Sequence, residues 1–415
     1  MRPIAPDELE EFGRVGAAAF GTEFRPEALD HLRLGFEYDR SLAAFDGDRM
    51  VGTAGAFSFG LTLPGGPGCA PPPPLPVAAV SFVGVLPTDR RRGVLSAMMR
   101  CQLEDVRDRG EAVAVLTASE GGIYGRFGYG VASFVVTHTL ARDRCALHAS
   151  ARRLVSAAGG RVRLVDAEEA RAAFPLVHEA WVAACPGEVG LTPGFWDGYV
   201  RPDPWNEVKG ARFLAVHEGP GGVDAFSDYL VDRHWDGQMA RSRVEVHALI
   251  ASDPAAELAM FDYLCGVDLV QELTFLSRPV DDPLRWALAD PRQFRAGPVA
   301  DMLWARPVDP ARALAARRYL VPGRLVIDLV DDWMPENTGR LVVEGGPDGA
   351  EAGRAGGVGA DIALGPAELG SILLGGVAPS ALARAGRIDE LSPGALARAD
   401  ALFATTRPPY ASTEF

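Results

Sequence analysis

The chain has 415 residues, of which 48% are hydrophobic and 23% charged, so it can build ordinary globular cores and is not an intrinsically disordered protein. Its formal net charge of -14 repels nucleic acids and anionic membranes, and neither is expected as a partner. The N-terminus lacks the apolar run of a secretory signal, and no segment is long and apolar enough to span a bilayer. The five cysteines have no paired spacing, which predicts a cytoplasmic protein without a disulfide framework or a metal site: Cys69, Cys101, Cys145, Cys185 and Cys265.

The first part of the chain predicts a mixed α/β unit. In chain order the hydrophobic pattern first indicates a helix over Pro6–Phe20, a hairpin of Ser41–Asp46 with Met50–Leu63, and a proline-rich loop over Pro64–Pro76. It then indicates a strand over Ala78–Leu86, a second helix, and a strand over Ala112–Thr117. The apolar residues of the second helix are Leu95, Met98, Met99, Leu103 and Val106. The second helix is expected to end at Gly110. These elements form a strand, turn, helix, strand unit.

A basic turn joins the strand to the helix in this unit. The strand breaks at Pro87, and three arginines, Arg90 to Arg92, precede Gly93 at the start of the helix. Backbone N–H groups at a helix start have no intrahelical partner, and the helix dipole adds about half a positive charge there. A pyrophosphate can bind to such groups, and a glycine lets it come close. Taken alone, an Arg-x-x-Gly turn also fits a solvated surface loop.

Two further units follow, with weaker patterns. The middle one predicts strands over Arg212–His217, Ala225–Val231 and Val244–Ile250 and then a helix over Pro254–Leu264. From about Pro307 the pattern predicts a third unit with a hairpin of Leu325–Val330 and Gly339–Val343, an apolar stretch over Ile362–Leu374, a mobile glycine-rich loop over Gly345–Gly359, and an extended tail over Thr405–Phe415.

The middle unit lacks the chemistry of a phosphate-binding turn. At the corresponding place it has Ala251–Ala255, which contains no glycine and carries Asp253. A carboxylate there repels phosphate, because both groups are negatively charged. We therefore expect one cofactor per chain.

The segment after the strand Ala112–Thr117 indicates what the basic turn does. It spans Ser119–Gly130 and reads SEGGIYGRFGYG. Together with the basic turn it resembles the GNAT acyltransferase superfamily, and the fuller string is similar to the enhanced intracellular survival (Eis) family of actinobacterial acetyltransferases. The resemblance is strongest from Ser81 to Gly130, returns in Thr413-Glu414-Phe415, and is faint elsewhere. Leu95 stands where the superfamily usually has a small residue, although Eis-like sequences carry a similar bulky one.

The resemblance implies an α/β (α+β mixed sheet) fold with tandem GNAT-like domains followed by a sterol-carrier-protein-like α+β domain. The implied domains are a catalytic GNAT domain over 1–150 that binds acetyl-CoA, a degenerate GNAT-like domain over 151–298, and a sterol-carrier-like domain over 299–415 with a catalytic C-terminal tail. It also implies a homo-oligomer, and specifically a hexamer.

The resemblance also assigns roles to residues. The implied cofactor-binding residues are Val83 and Val85 for the pantetheine arm, Arg90, Arg91, Gly93 and Val94 for the pyrophosphate, and Ser119 near the acetyl thioester. Tyr124 is the implied general acid, although its ordinary pKa of about 10 exceeds that of a thiol, about 8.5, so it also fits a hydrogen bond to developing negative charge. Tyr129 is its rival, although packing in the core suits Tyr129 better. The implied base is the α-carboxylate of Phe415, and an ordinary frayed terminus is the alternative. The side chains of Val83 and Val85 can pack in the core while their backbone binds.

The substrate pocket is less legible. Candidate lining residues are aromatic or acidic: Phe20, Glu23, Phe24, Glu37, Phe82 and Glu414. Aromatic faces and carboxylates suit a polyamine, through cation–π contact and ion pairing. Each residue taken singly also fits the core or the solvated surface.

The resemblance, together with these patterns, implies an acetyl-CoA-dependent N-acetyltransferase that acts on primary amines of a polyamine such as an aminoglycoside, or on a lysine side chain of a peptide. One alternative is a non-catalytic carrier of an apolar ligand that uses the C-terminal domain. The intact basic turn, Tyr124 and the Glu-Phe ending weigh against it. A dedicated biosynthetic acetyltransferase with one native amine stays open.

Overall fold

A computed structural model describes residues 1–66, 71–202 and 210–415. Cys69 and part of the predicted loop Pro64–Pro76 lie outside the described residues. The chain folds into two compact units of mixed α/β structure. The first contains Met1–Phe134, Cys185–Gly198 and Asp301–Phe415, and the second contains Val135–Ala184 and Tyr199–Ala300.

The first unit is built around a mixed sheet. Its described strands lie in the order Arg2–Pro3, Leu42–Asp46, Arg49–Leu61, Leu75–Val85, Val113–Thr117, Leu303–Pro307 and Gly130–Val131. Val189–Gly190 pairs with the end of Arg49–Leu61. Most neighbours are antiparallel, but Leu75–Val85 and Val113–Thr117 run parallel, as the crossover helix between them requires.

Two helices cover opposite faces of this sheet. Helix Leu9–Ala19 buries Leu9 and Phe12 in a cluster with Met50, whereas helix Val94–Asp108 buries Met98 in a cluster with Val51. Because successive residues of a strand point to opposite faces, the neighbours Met50 and Val51 place the helices on different sides. The predicted strand, turn, helix, strand unit is thus confirmed.

The C-terminal part of the first unit has a sheet of its own. The described strands lie in the order Gly349–Arg354, Gly339–Gly346, Gly323–Leu329, Ile362–Leu364 and Asp389–Glu390. Its α-helices are Pro310–Ala316, Pro366–Leu373, Pro379–Arg384 and Ala395–Phe403. The predicted mobile loop over Gly345–Gly359 is wrong as far as Arg354, because the strands Gly339–Gly346 and Gly349–Arg354 pair across a tight hairpin there. The high glycine content favoured the prediction of a loop, but strand pairing uses backbone groups and needs no side chain.

The second unit contains another mixed sheet. The described strands lie in the order Arg295–Asp301, Phe134–Ala141, Val270–Pro279, Ser242–Ala251, Gly222–Asp232, Ala211–Gly219 and Arg161–Val165. Its α-helices include Ala149–Ala158, Ala167–Val182, Pro254–Cys265 and Leu284–Ala287. Helix Pro254–Cys265 joins the parallel strands Ser242–Ala251 and Val270–Pro279, which repeats the arrangement of the first unit.

Candidate active site

A bulge opens the first sheet beside the predicted cofactor turn. Thr53 pairs with Gly84 and Gly55 with Ser81, so Ala54 faces two residues, Phe82 and Val83. Phe82 has a left-handed backbone with φ of 54°, and its carbonyl accepts a hydrogen bond from Thr53 Oγ1 at 2.7 Å. Bulges bend a strand and interrupt its pairing. Accordingly, the parallel pairing of Leu75–Val85 with Val113–Thr117 ends just before the bulge, at Val80 and Leu116.

The separated strands and the following turn enclose a groove of about 820 Å³. The groove is lined by every cofactor-binding residue that the sequence predicted, together with the predicted general acid and one predicted substrate residue: Val83, Val85, Arg90, Arg91, Gly93, Val94, Ser119, Tyr124 and Phe20. Residues far apart in the chain therefore meet in one groove.

The helix at the groove begins without a side-chain cap. Gly93 occupies the N-cap position with φ of 81°, a conformation that favours glycine, and a Cβ atom there would meet nothing within 4 Å. The first intrahelical hydrogen bond runs from Ala97 N to Gly93 O, at 3.0 Å. The N–H groups of Val94, Leu95 and Ser96 thus have no intrahelical acceptor, and they suit an anion.

A buried carboxylate supports this turn from below. Asp89 is 1% exposed and accepts hydrogen bonds from Arg49 at 2.8 and 3.0 Å, from Thr88 at 2.7 Å and from Arg92 at 2.8 Å. Hydrogen bonds from Arg49 and Thr88, with the positive charges of Arg49 and Arg92, lower the pKa of Asp89 to about 2. The carboxylate therefore stays ionised at neutral pH and fixes the base of the turn.

The three arginines of the turn have different partners. Arg90 donates to Val85 O at 3.3 Å and to Ala19 O at 2.9 Å, so it ties the end of the first helix to the groove. Arg92 pairs with Asp46 at 3.0 Å as well as with Asp89. Arg91 lines the groove, is exposed, and has a left-handed backbone with φ of 62°. Of the three, Arg91 is best placed to meet a phosphate.

The matching turn of the second unit is closed to an anion. Asp253 caps helix Pro254–Cys265, and its carboxylate accepts from Ala255 N at 2.8 Å and Ala256 N at 3.1 Å. Nearby, the buried Arg278 donates to Leu249 O at 2.8 Å and to Glu257 at 2.7 Å. The N–H groups that correspond to the free ones of the first turn thus donate to the Asp253 carboxylate in the second unit.

The two tyrosines of the glycine-rich segment differ in burial. Tyr124 lines the groove and is 8% exposed, whereas Tyr129 is fully buried, with the ring centroids 6.0 Å apart. Tyr129 Oη has no hydrogen-bond partner among the described residues. Burial, together with the negative charge of Glu120, raises the pKa of Tyr124. Tyr124 can thus offer a hydroxyl group to the groove, while Tyr129 belongs to the core.

The chain terminus lies at the end of a central strand. Thr117, the last residue of Val113–Thr117, donates from Oγ1 to a terminal oxygen of Phe415 at 3.2 Å. The Phe415 ring packs edge-on against Phe59, with the centroids 5.6 Å apart. Ser119, which lines the groove, follows Thr117 closely. The last residue is therefore docked beside the groove.

An aromatic row, Phe82–Phe57–Phe59–Phe415, connects the bulge to the chain terminus. Successive ring centroids lie 5.7, 5.4 and 5.6 Å apart, and Phe195 packs against Phe57 at 6.0 Å and Phe59 at 5.7 Å. Of these, the sequence interpretation named Phe82 and Phe415. The spacing of Phe57 and Phe59 on one strand face could have indicated the row.

The other predicted substrate residues are scattered. Phe20 is 54% exposed at the groove, and Phe24 packs on the first helix, where a Cβ atom on Gly13 would lie 2.3 Å from its ring. Glu37 accepts from Ser58 N at 2.6 Å and from Ser58 Oγ at 2.5 Å. Glu23 and Glu414 are exposed. The structure thus ties Glu37 to Ser58 and leaves the other two carboxylates in solvent.

Sequence reasoning missed several groove residues and one buried carboxylate. Glu120 and Arg126 line the groove within the glycine-rich segment, and Ala18, Ala19 and Gly21 line it from the end of the first helix. Thr117 and the buried Glu188 contact the tail. The first group lay in a segment already singled out, whereas nothing in the sequence linked Glu188 to the tail.

Within residues 1–66, 71–202 and 210–415, no group of three or more His, Cys, Asp or Glu side chains is placed where it could hold a metal ion. Nor does any described helix combine the length and apolar character that crossing a bilayer needs.

Comparison with known proteins agrees with this site. Residues 1–132 and 187–308 each match the acetyltransferase (GNAT) domain family, and residues 310–412 match the sterol carrier protein domain family. The fold and the groove thus define a GNAT-type N-acetyltransferase, a class whose domains imply the use of acetyl-CoA.

Relatives that match nearly the whole chain narrow the assignment to one family. N-acetyltransferase Eis of Mycobacterium tuberculosis is 33% identical over 414 residues, covering 97% of this chain and 96% of that protein. An uncharacterized N-acetyltransferase of Streptomyces avermitilis is 38% identical over 379 residues, covering 90% and 89%. The crystal structure of Eis1 from Mycobacterium abscessus superposes with a TM-score of 0.83 at 33% identity, covering 100% and 99%. The chain belongs to the Eis family of GNAT acetyltransferases.

Proposed function

We propose that this enzyme transfers the acetyl group of acetyl-CoA to a primary amine of a polyamine such as an aminoglycoside, or to a lysine side chain of a peptide. The observation that carries the proposal is the docking of Phe415 beside the groove, where Thr117 hydrogen-bonds a terminal oxygen. Catalysis is assigned to the domain predicted over 1–150 together with the tail of the domain predicted over 299–415. The domain predicted over 151–298 has no catalytic role in this scheme.

The groove residues suit acetyl-CoA. The uncapped N–H groups after Gly93 and the exposed guanidinium of Arg91 would hold the pyrophosphate, and the strand opened at Phe82 would offer Val83 and Val85 to the pantetheine arm. Ser119 would lie near the thioester. No metal ion is needed for this reaction, and none is proposed.

The reaction exchanges a carbon–sulfur bond for a carbon–nitrogen bond. The amine nitrogen, in its neutral form, attacks the thioester carbonyl, the thiolate leaves, and one proton passes from the nitrogen of the resulting adduct to the base. Tyr124 would stabilise the departing thiolate through its hydroxyl and supply its proton. The terminal carboxylate of Phe415 would accept the proton of the nitrogen, and solvent would then carry a proton from this carboxyl group to the tyrosinate, which restores both groups.

The proton transfer to a carboxylate constrains how the amine binds. An α-carboxyl group has an ordinary pKa of about 3.5 and an alkylammonium about 10.4, so direct transfer between the bulk species is uphill by roughly 9 kcal/mol. Either the neutral amine binds, or desolvation of both groups reduces the difference between their pKa values. The aromatic row beside Phe415 supports the second route, because it places apolar side chains against the ring of the residue that carries the carboxylate.

A panel of amines tests the proposal directly. The enzyme is incubated with acetyl-CoA and aminoglycosides, linear polyamines, lysine peptides or monoamines, and free thiol is measured over time. We expect saturable thiol release with several polyamines. Release with one amine alone would indicate a dedicated biosynthetic enzyme, and release with none would indicate the carrier function of the C-terminal domain.

Acetyl-CoA should bind once per chain, and only in the first unit. Calorimetry should give one site per chain, and Arg91→Glu combined with Gly93→Asp should abolish binding, because both changes place negative charge at the phosphate turn. Asp253→Asn is the matched control in the second unit, since asparagine preserves the helix cap and removes the charge. Two equivalent sites, or undiminished binding by the double variant, would contradict the prediction.

We further propose that the enzyme is a cytoplasmic homo-oligomer, a hexamer by its resemblance to the Eis family. A tail that carries a catalytic group benefits from neighbouring surfaces that fix it. Sedimentation should give a mass of six chains of 44.1 kDa, about 265 kDa. A stable monomer at micromolar concentration would refute this. With a net charge of -14, neither nucleic acid nor an anionic membrane is expected to bind.

A further inference from the structure

The last residues of the chain, Tyr410–Phe415, dock onto a short segment, Cys185–Gly190, which we call the tail clasp. Tyr410 N donates to Pro186 O at 2.8 Å, and Cys185 Sγ donates to Tyr410 O at 3.8 Å. Tyr410 is 4% exposed and Ala411 is fully buried. Few chain termini are held this closely. The question is which group of the clasp fixes the residues beyond Ala411.

Glu188 is the charged group of the clasp. Its side chain is fully buried, and both carboxylate oxygens accept from Ser412 N, at 3.1 and 3.0 Å. Oε1 also accepts from Val189 N at 3.1 Å. Burying a carboxylate is costly unless hydrogen bonds compensate, and here a backbone N–H of the tail donates to both oxygens. The carboxylate thus holds Ser412 through both of its oxygens.

The backbone of the clasp is itself rigid. Thr62 N donates to Glu188 O at 2.9 Å, and Gly187 N donates to Thr62 O at 2.8 Å, so the clasp is fastened to the sheet of the first unit. Gly187 has φ of 92°, and a Cβ atom there would lie 2.9 Å from Tyr410 N. Glycine at 187 therefore permits both the turn and the close approach of the tail.

Among contacts between described residues, Ser412 N makes the last backbone hydrogen bond before Phe415. Beyond it, the described contacts of Phe415 are the Thr117 hydrogen bond and the ring contact with Phe59. Losing the anchor at Ser412 would leave the end of the chain to swing from Ala411, and each extended residue spans up to about 3.6 Å. The terminal carboxylate would then sample positions several ångströms apart.

We propose that Glu188 is a positioning residue for the terminal carboxylate of Phe415. It touches neither substrate nor cofactor, and it acts by fixing Ser412, from which the last residues reach the groove. This inference rests on the proposed role of Phe415 as the base. The clasp thereby gives a segment that is remote in the sequence a part in catalysis, because Glu188 and Ser412 lie 224 residues apart.

Kinetics of Glu188 variants test the proposal. Glu188→Ala should lower kcat by about 10²-fold, because a misplacement of about 1 Å at a reacting group has an effect of that size, and KM for acetyl-CoA should not change. Glu188→Gln keeps one acceptor oxygen and the side-chain shape, so it should recover much of kcat. Adding Glu188→Ala to an enzyme already extended by one glycine should cause little further loss.

A second readout does not depend on activity. A carboxypeptidase that removes C-terminal aromatic residues should release Phe415 faster from the Glu188→Ala enzyme than from the wild type. Asp282→Ala is the matched control, since it removes another buried carboxylate, one that pairs with Arg278 in the second unit. The control should release Phe415 at the wild-type rate.

The outcomes separate the two hypotheses. Wild-type kcat in Glu188→Ala, while the glycine-extended enzyme is inactive, would overturn the role of Glu188 and leave Phe415 as the base. Full activity of the extended enzyme would overturn the role of Phe415 itself. Loss of kcat in Glu188→Ala with wild-type release of Phe415 would show that Glu188 supports the fold and does not position the tail.

Discussion

One glycine added after Phe415 should abolish acetyl transfer while folding and acetyl-CoA binding persist. The added residue moves the terminal carboxylate by up to about 3.6 Å, beyond the range of a hydrogen-bonded proton transfer. It also puts a peptide bond where Thr117 now hydrogen-bonds a terminal oxygen. We expect kcat to fall by about 10²–10⁴-fold, the usual range for a positioned base, with the calorimetric Kd for acetyl-CoA unchanged.

The matched control alters the side chain and keeps the carboxylate. Phe415→Leu loses the ring contact with Phe59 but retains an apolar anchor, so it should keep much of the rate. Equal losses in the two variants would mean that the ring contact is needed as much as the position of the carboxylate. Full activity of the extended enzyme would return Phe415 to an ordinary terminal residue and leave Glu414 or a pocket water as the next candidate.

The elements that line the groove could be predicted because they are local in the sequence, whereas the roles of single residues there came from the resemblance to the Eis family. The strand, the basic turn with Gly93, the helix and the glycine-rich segment follow one another between Ser81 and Gly130. Strand breaking at Pro87, the helical period and the uncapped helix start each follow from residue types at short spacing. The groove residues named from the sequence therefore meet in the structure.

The support of the tail could not be predicted, because it depends on contacts between distant residues. Thr117 and Phe415 lie 298 residues apart, and Glu188 and Ser412 lie 224 apart. No periodicity or spacing links such pairs. Similarly, the bulge at Phe82 arises from its register with Ala54, and a single strand's sequence does not specify register.

The partners of individual charged side chains could not be predicted either. The sequence shows three adjacent arginines, but packing decides that Arg92 pairs with Asp46 and Asp89 while Arg90 holds backbone carbonyls. Glu37 looked like a carboxylate for a cationic substrate, and the structure ties it to Ser58. Charge type can be read from sequence, whereas the partner of each charge depends on tertiary packing.

Replacing Tyr124 by phenylalanine should lower kcat by about 10²–10⁴-fold, because the hydroxyl that stabilises the departing thiolate is lost. The Kd for acetyl-CoA should change little, since the phosphate turn is untouched. Tyr129→Phe is the matched control. Tyr129 Oη has no hydrogen-bond partner among the described residues, so its removal leaves no donor or acceptor unpaired in them and should preserve the rate.

The pH dependence gives the Tyr124 prediction a second test. Burial and the charge of Glu120 raise the pKa of Tyr124 above its ordinary value of 10.0, so the hydroxyl stays protonated throughout the neutral range and is lost only as the pH rises above 10. Glu120→Gln removes a neighbouring negative charge and should move that alkaline loss of kcat to lower pH. A large loss of kcat in Tyr129→Phe, with Tyr124→Phe nearly unaffected, would assign the acid to Tyr129 and show that its burial does not keep it from the thioester.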